Sequence, residues 1–282
     1  VRARVPASSA NLGPGFDSLG LALCRYTEVS VEPAAALEIT AEGAGSHLPC
    51  DHTHLAAEIV RDVLGHDDVR IHVSSEVPLA RGMGSSAALI AATAAAAGHP
   101  DPFAYTALRE GHADNAAAAV LGGLVTGAII DATPVARRLP LDEALVFCLV
   151  IPDTELSTKA ARQALPDAVP RGDAVFNIGR MGLLIAGLAE HSLLLPEATD
   201  DRLHQHYRAP LFPSSGPLMT AMRDAGALGA CWSGAGPSLI GICTYETVDA
   251  VVGAAQAMLR RLDVPGTAEL IEADLEGLVL ED

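Results

Sequence analysis

Lysine is nearly missing from this sequence. Lys159 is the single lysine among 18 basic residues in a chain of 282, and its isolation excludes two familiar nucleotide sites. A phosphate loop ending in Gly-Lys-Ser/Thr and the strand lysine of a protein kinase both need an ammonium on the nucleotide phosphates. Positive charge is scarce overall, since 35 acidic residues leave a formal charge of −17. That excludes a nucleic-acid or anionic-membrane surface, because such partners require clustered cations. The five cysteines are odd in number and show no C-x-x-C spacing. Neither a disulfide framework nor a cysteine zinc site is indicated, and a reducing, cytoplasmic setting is expected. No run reaches the 18 or so consecutive apolar residues of a membrane span, and the first residues lack the apolar core of an export signal.

What is present is apolar and small. Half of the residues are hydrophobic, enough for two cores of ordinary size, so two domains are expected with a boundary in residues 152–158. The chain is organised around residues 78–88, Pro78-Leu79-Ala80-Arg81-Gly82-Met83-Gly84-Ser85-Ser86-Ala87-Ala88, which run into an uncharged, alanine-rich segment ending at Gly98. The lack of charge across 85–97 predicts a helix buried on all sides. Such a helix cannot hydrate its first N–H groups, and an anion placed there contributes roughly 0.3–1 kcal/mol. Gly82 and Gly84 allow positive φ and close approach to a ligand. These features make a phosphate cradle, the alternative being a tight turn into a core helix. Gly82-x-Gly84-x-x-Ala87 also matches the dinucleotide pattern, but Pro78 separates it from the strand at 69–73, whereas that fold turns directly off its strand. The acidic residue at the right distance, Asp101, opens a helix instead of ending a strand.

Strands are expected at 3–6, 19–23, 27–31, 37–41 and 125–130, and residues 145–151 are too continuously apolar for an exposed face. Helices are expected at 55–64, 102–110, after Asp114, 158–165, 173–190, 218–224 and 247–262. Strands at 227–232 and 239–243 flank a glycine turn, and 268–271 and 278–280 add edges. Strands followed by helices indicate an α+β layer. Asn11 and Asp17 lie on a loop of small residues suited to bringing polar atoms to a small ligand. Glu110, His112, Asp114 and Asn115 fall within six positions, although Asp114 also suits a helix cap. Arg180 stands amid apolar neighbours, either snorkelling or facing a buried anion. His52 and His54 lack a third metal ligand nearby and read as a helix entry. His204 and His206 lie in a charged segment expected to be solvated.

The strings PASSANLGPGFD (6–17), PLARGMGSSAA (78–88), EGHADNAAAAVLGG (110–123) and SGAGPS (233–238) resemble, in order, the motifs of the GHMP kinase superfamily. LST (156–158), DAVFNIGR (173–180) and YRAPL (207–211) are similar to the branch that phosphorylates L-homoserine. The resemblance implies a two-domain α+β enzyme. Residues 1–152 would form an N-terminal ATP-binding domain of ribosomal-protein-S5-like α/β type, and 153–282 a C-terminal ferredoxin-like α+β domain. It implies transfer of the γ-phosphate of ATP to L-homoserine with Mg²⁺. For ATP it points to Pro78, Arg81, Gly82, Met83, Gly84, Ser85 and Ser86, with His54 near the base, and for Mg²⁺ to Ser86 and Glu110. For the acceptor it points to Asn11, Asp17, Asp114, Asn115 and Gly234, with Arg180 and Arg208 pairing the carboxylate. Asp114 and Asn115 lie nearest the chemistry, as binding groups, since a loose phosphoryl transition state depends on positioning and charge. A homodimer is an open expectation.

Two positions depart from the pattern. His54 stands where similar sequences carry an asparagine, and Leu108 where they carry a Mg²⁺-serving glutamate. Residues two apart on a helix face different directions, so Glu110 is expected to replace that carboxylate only if the helix end shifts.

Overall fold

The computed structural model describes residues 1–281, and Asp282, the last residue of the expected second domain, lies outside the described residues. The first half forms β1 (Arg2–Ala10), β2 (Leu19–Pro33), β3 (Glu38–Gly43), α1 (Leu55–Leu64), β4 (Val69–Ser75), α2 (Ser85–Ala96), α3 (Pro102–Glu110), α4 (Asp114–Leu121), β5 (Leu124–Ile130) and β6 (Thr133–Leu139). The second half forms β7 (Leu145–Pro152), α5 (Thr158–Gln163), α6 (Arg171–Ala189), α7 (Gln205–Arg208), α8 (Ser215–Asp224), β8 (Gly229–Trp232), β9 (Leu239–Thr244), α9 (Val248–Arg261), β10 (Gly266–Ile271) and β11 (Val279–Glu281). Seven strands make the first sheet, with the path β11-β1-β2-β4-β3 and with β5 and β6 extending from β2. Four make the second, in the order β10-β7-β9-β8.

α2 is the buried helix that its composition predicts. Its alanines allow close approach to the first sheet, where Ala88, Ala91, Ala92 and Ala95 share a core with Val5, Val29 and Ile71. Thr93, polar and buried, returns its hydroxyl to the Leu89 carbonyl at 2.7 Å, so no group is left unsatisfied. β2 is one long strand where the sequence suggests two. Pro6 faces Tyr26 and Ala7 faces Leu23, so Cys24 and Arg25 are extra residues in a bulge that resets the inside–outside alternation.

The sheets divide the chain differently from the 152/153 boundary. β7, continuously apolar, is buried at every position and lies between β10 and β9 at the centre of the second sheet, which places the division before residue 145. β11 crosses back to pair with β1, Arg2 opposite Glu281. The expected separate cores also merge, since Leu19, Leu21 and Met83 share a cluster with Phe147, Leu149 and Ile240. β6, absent from the strand pattern, is an exposed edge carrying Pro134, Arg137 and Arg138, the residue types that blunt an edge. α6 alone among the described residues is a helix long and apolar enough to cross a membrane. It packs Leu184 and Leu188 into the shared cluster.

Candidate active site

α2 begins at Gly84, which sits at φ +65° and supplies no side-chain cap, so the first helical N–H groups point out of the fold toward a cleft. The approach loop is gripped by other segments. The Ser8 N–H donates to the Met83 carbonyl at 3.1 Å, and the Ser233 hydroxyl donates to the Gly82 carbonyl at 2.7 Å. Arg81 spends its guanidinium on the carbonyls of Pro152 at 2.8 Å, Leu79 at 3.0 Å and Asp153. A Cβ on Gly82 would lie 2.2 Å from the Ser233 carbonyl oxygen, and one on Gly84 would lie 2.0 Å from Ser8 Oγ. Packing between β1 and the 233–236 turn therefore requires the two glycines, independently of any ligand.

The cleft in front of this loop has a volume of about 290 Å³ and lies between the two sheets' loops. Gly82, Met83, Gly84, Ser85 and Ser86 line one side, and Asn11, Asp17, Glu110, Asp114, Asn115, Arg208 and Gly234 line the rest. Pro78 and Arg81 lie outside the lining and shape the loop that carries it. His54 caps α1, its Nδ1 accepting from the Ala56 N–H at 3.1 Å. It also borders a small hollow with Leu48, Leu79 and Leu89, which Ser85 joins to the cleft. Burial lowers the His54 pKa against the opposing charge of Asp51, so the ring is neutral above pH 7.

On the cleft floor the Ser86 hydroxyl donates to Glu110 Oε1 at 2.6 Å. Glu110 is the last residue of α3, which Gly111 ends in the left-handed conformation, and its carboxylate reaches Ser86 without any shift of the helix end. Leu108 is 53% exposed and outside the cleft. Among the described residues no three His, Cys, Asp or Glu side chains gather as a metal cluster. One hydroxyl and one carboxylate suit Mg²⁺, which keeps waters and takes phosphate oxygens rather than an all-protein cage.

His112 connects the floor to the acceptor side, with Nδ1 2.6 Å from Asp114 Oδ1 and Nε2 3.7 Å from Glu110. Asp114 is buried in the first turn of α4 instead of capping it, and its Oδ1 also accepts the Asn115 N–H at 2.7 Å. Asn115 Oδ1 accepts from Ser8 Oγ at 2.8 Å. Burial alone would lower the His112 pKa, but the hydrogen bond to Asp114 and the charges of Asp114, Glu110 and Asp17 outweigh it and raise the value. The resulting stabilisation is fully present below the unfolded pKa of about 6.5 and is lost as pH rises through the higher folded value. His112→Gln should therefore lower Tm more at pH 6 than at pH 9. An equal loss at both would mean that the ring packs without pairing.

The opposite wall is cationic. Arg208 is only 2% exposed; its Nε donates to the Ala161 carbonyl at 3.2 Å, and its Nη1 to the Gly234 carbonyl at 3.1 Å and His204 Nδ1 at 3.2 Å. Nη2 makes no hydrogen bond among the described residues and is left for a ligand. His204 is fully buried, not solvated, and its Nε2–H donates to the Gly13 carbonyl at 2.8 Å. A carbonyl can only accept, so Nδ1 carries the lone pair that receives Arg208. Burial holds this imidazole neutral, with a pKa near 4. Burial likewise brings Arg208 down to about 10, still charged at neutral pH.

Arg162, which the sequence reading passed over, also lines the cleft. It grips Asp17 with two bonds of 2.9 and 3.0 Å. The Asp17 N–H donates to Asn11 Oδ1 at 3.0 Å, and Asn11 Nδ2 donates to the Gly234 carbonyl at 2.9 Å. The available signal was the Ser157-Thr158 helix start, which sets Arg162 one turn into α5. Arg180 is not brought to the cleft. It stacks over the Phe176 ring at 4.7 Å and faces a separate cavity on the other side of α7. α6 seats Asn177 against the Pro14 carbonyl and Asp201, and this seating leaves Arg180 on the cavity side.

Comparison with known proteins accords with this architecture. Residues 51–123 match the family model of the GHMP kinases N terminal domain and residues 177–261 that of GHMP kinases C terminal. A homoserine kinase from Moorella thermoacetica is 42% identical, covering 85% of this chain and 86% of its own. One from Desulfitobacterium hafniense is 37% identical over 98% of both. The crystal structure of homoserine kinase from Cytophaga hutchinsonii superposes with a TM-score of 0.86 at 26% identity, covering 99% of this chain and 96% of the other.

Proposed function

The chain belongs to the homoserine kinases of the GHMP kinase family, and from that premise we infer that it transfers the γ-phosphate of ATP to the side-chain hydroxyl of L-homoserine. The product is O-phospho-L-homoserine, an intermediate of threonine biosynthesis, and the setting is the cytoplasm. One observation carries the reading: a single cleft sets an uncapped helix N-terminus, fit for a polyphosphate, opposite two arginines fit for a carboxylate.

The N–H groups at Ser85 and Ser86 receive the phosphates, and the nucleoside extends toward the hollow beside His54. Ser86 and Glu110 hold Mg²⁺, which when bound neutralises charge on the phosphates. Homoserine brings a carboxylate, an ammonium and a hydroxylated arm. Arg208 Nη2 and Arg162 take the carboxylate, Arg162 in the place suggested for Arg180. The same zwitterion presents its ammonium to Asp17, so it substitutes for both partners of the Asp17–Arg162 pair. Asp114 and Asn115 orient the hydroxyl toward the γ-phosphorus. Bonding to the leaving oxygen is largely lost before the new bond forms, so the hydroxyl proton departs late and no strong base is required.

The test is ADP release with and without L-homoserine in wild type and variants. A charge-assisted hydrogen bond is worth about 1.5–3 kcal/mol, so Arg208→Gln or Arg162→Gln should raise the homoserine KM roughly tenfold to a hundredfold. Arg180→Gln should leave it unchanged. 3-Aminopropan-1-ol, which lacks the carboxylate, should be a poor substrate for all four proteins and nearly insensitive to the first two substitutions. ADP release that ignores homoserine would sink the assignment.

A further inference from the structure

We propose that the cavity beyond α7 is a second ligand site, taking a small organic anion with an acidic head on an apolar body. The cavity measures about 770 Å³ and gathers three guanidiniums, Arg180, Arg202 and Arg223, in a chain with nearly twice as many acidic as basic residues. Arg180 has no carboxylate within ion-pair distance among the described residues. Arg202 reaches Asp173, and Arg223 reaches Asp200, only at 3.4 Å. Of the two acids that face the cavity, Asp201 is already consumed by the N–H groups of Leu203, His204 and Gln205 and by Asn177. Asp200 is the partner of Arg223.

Unsatisfied atoms indicate the missing chemistry. Seven buried side-chain polar atoms among the described residues lack a hydrogen-bond partner, and three of them, Arg180 Nε, Arg223 Nε and Trp232 Nε1, belong to residues lining this cavity. All three are N–H donors, so the complement is an acceptor, and beside guanidiniums the best acceptor is an anionic oxygen. Phe176, Met219 and Trp232 supply an apolar wall for the rest of the ligand. The cavity also adjoins the carboxylate clamp, because α7 gives His206 to the cavity and Arg208 to the cleft. Trp232 leads directly into Ser233 and Gly234.

Trp232 is the only tryptophan in the chain, so its fluorescence reports this cavity. The intact protein is titrated at constant ionic strength with phenylacetate, with phenyl phosphate and, as a neutral control, with methyl phenylacetate. A saturable response to one of the anions but not to the ester is expected, and comparing the two acids separates a carboxylate site from a phosphate site. Saturating homoserine and ATP should not displace the anion. Arg180→Gln should weaken binding at least about tenfold while keeping wild-type Tm and homoserine KM, with Arg180→Lys intermediate. No saturable response to either acid, displacement by homoserine or ATP, or unchanged affinity in Arg180→Gln would each overturn the proposal. A Trp232 signal that follows protein dilution rather than anion would assign the cavity to a second copy of the chain and overturn it likewise.

Discussion

Glu110→Gln should lower kcat by roughly 10²–10³-fold, the usual loss when one group that stabilises transition-state charge is removed, whereas Leu108→Glu should change kcat and the Mg²⁺ titration by less than about twofold. Glu110 stands 2.6 Å from Ser86 at the cleft floor, so it supplies the hard anionic oxygen that Mg²⁺ prefers. The amide keeps the shape and the hydrogen bond from Ser86 but removes the charge. Leu108 points into solvent, and a carboxylate there adds nothing to the site. Steady-state rates over a Mg²⁺ titration check both halves. A gain in Mg²⁺ affinity for Leu108→Glu would show that the metal is held from the other side of α3.

Gly82→Ala should destabilise the fold by about 3–5 kcal/mol, the range reserved for strain and steric conflict that cannot relax. The added Cβ combines φ +73° with a backbone oxygen 2.2 Å away, and a carbonyl held in a turn cannot rotate aside. For a chain of this size that corresponds to a fall in Tm of roughly 10 °C. Gly84→Ala meets a side-chain oxygen instead, Ser8 Oγ, so Ser8→Ala should restore part of its loss while doing nothing for Gly82→Ala. Thermal unfolding of the two single and two double variants decides the point. Equal rescue of both would mean that the loop moves as a unit and that the clash is not local.

Much of this site is legible in the sequence because its backbone requirements are local. Glycines before an uncharged alanine helix announce α2 and its open N-terminus, and Asp114-Asn115 announces the turn that faces it. Contacts that depend on which side of a helix meets which sheet are not legible. Arg162 and Arg180 are the same residue type on neighbouring helices, and only the seating of Asn177 against Pro14 sends one to the cleft and the other to the cavity. His204 looks solvated because acids surround it, yet Asp201 is turned inward by three N–H groups. β2 reads as two strands because a bulge inverts the alternation between its halves. β7 is recognisable as a strand but not as a member of the second sheet, since pairing with β9 and β10 is settled far along the chain.

The Gly234 carbonyl accepts from both Asn11 and Arg208, using both of its lone pairs. Rocking the two sheets apart would break the bond to Asn11 and strain the seat of Arg208 in the same movement. The cleft consequently has a stiff back and floor, and its mobile part is α5, six residues long with only Ala161 buried. Arg162 rides on that helix while Asp17 stays with the rigid loop, so admission of the acceptor is a matter of one short helix swinging on its ion pair, not of domains opening.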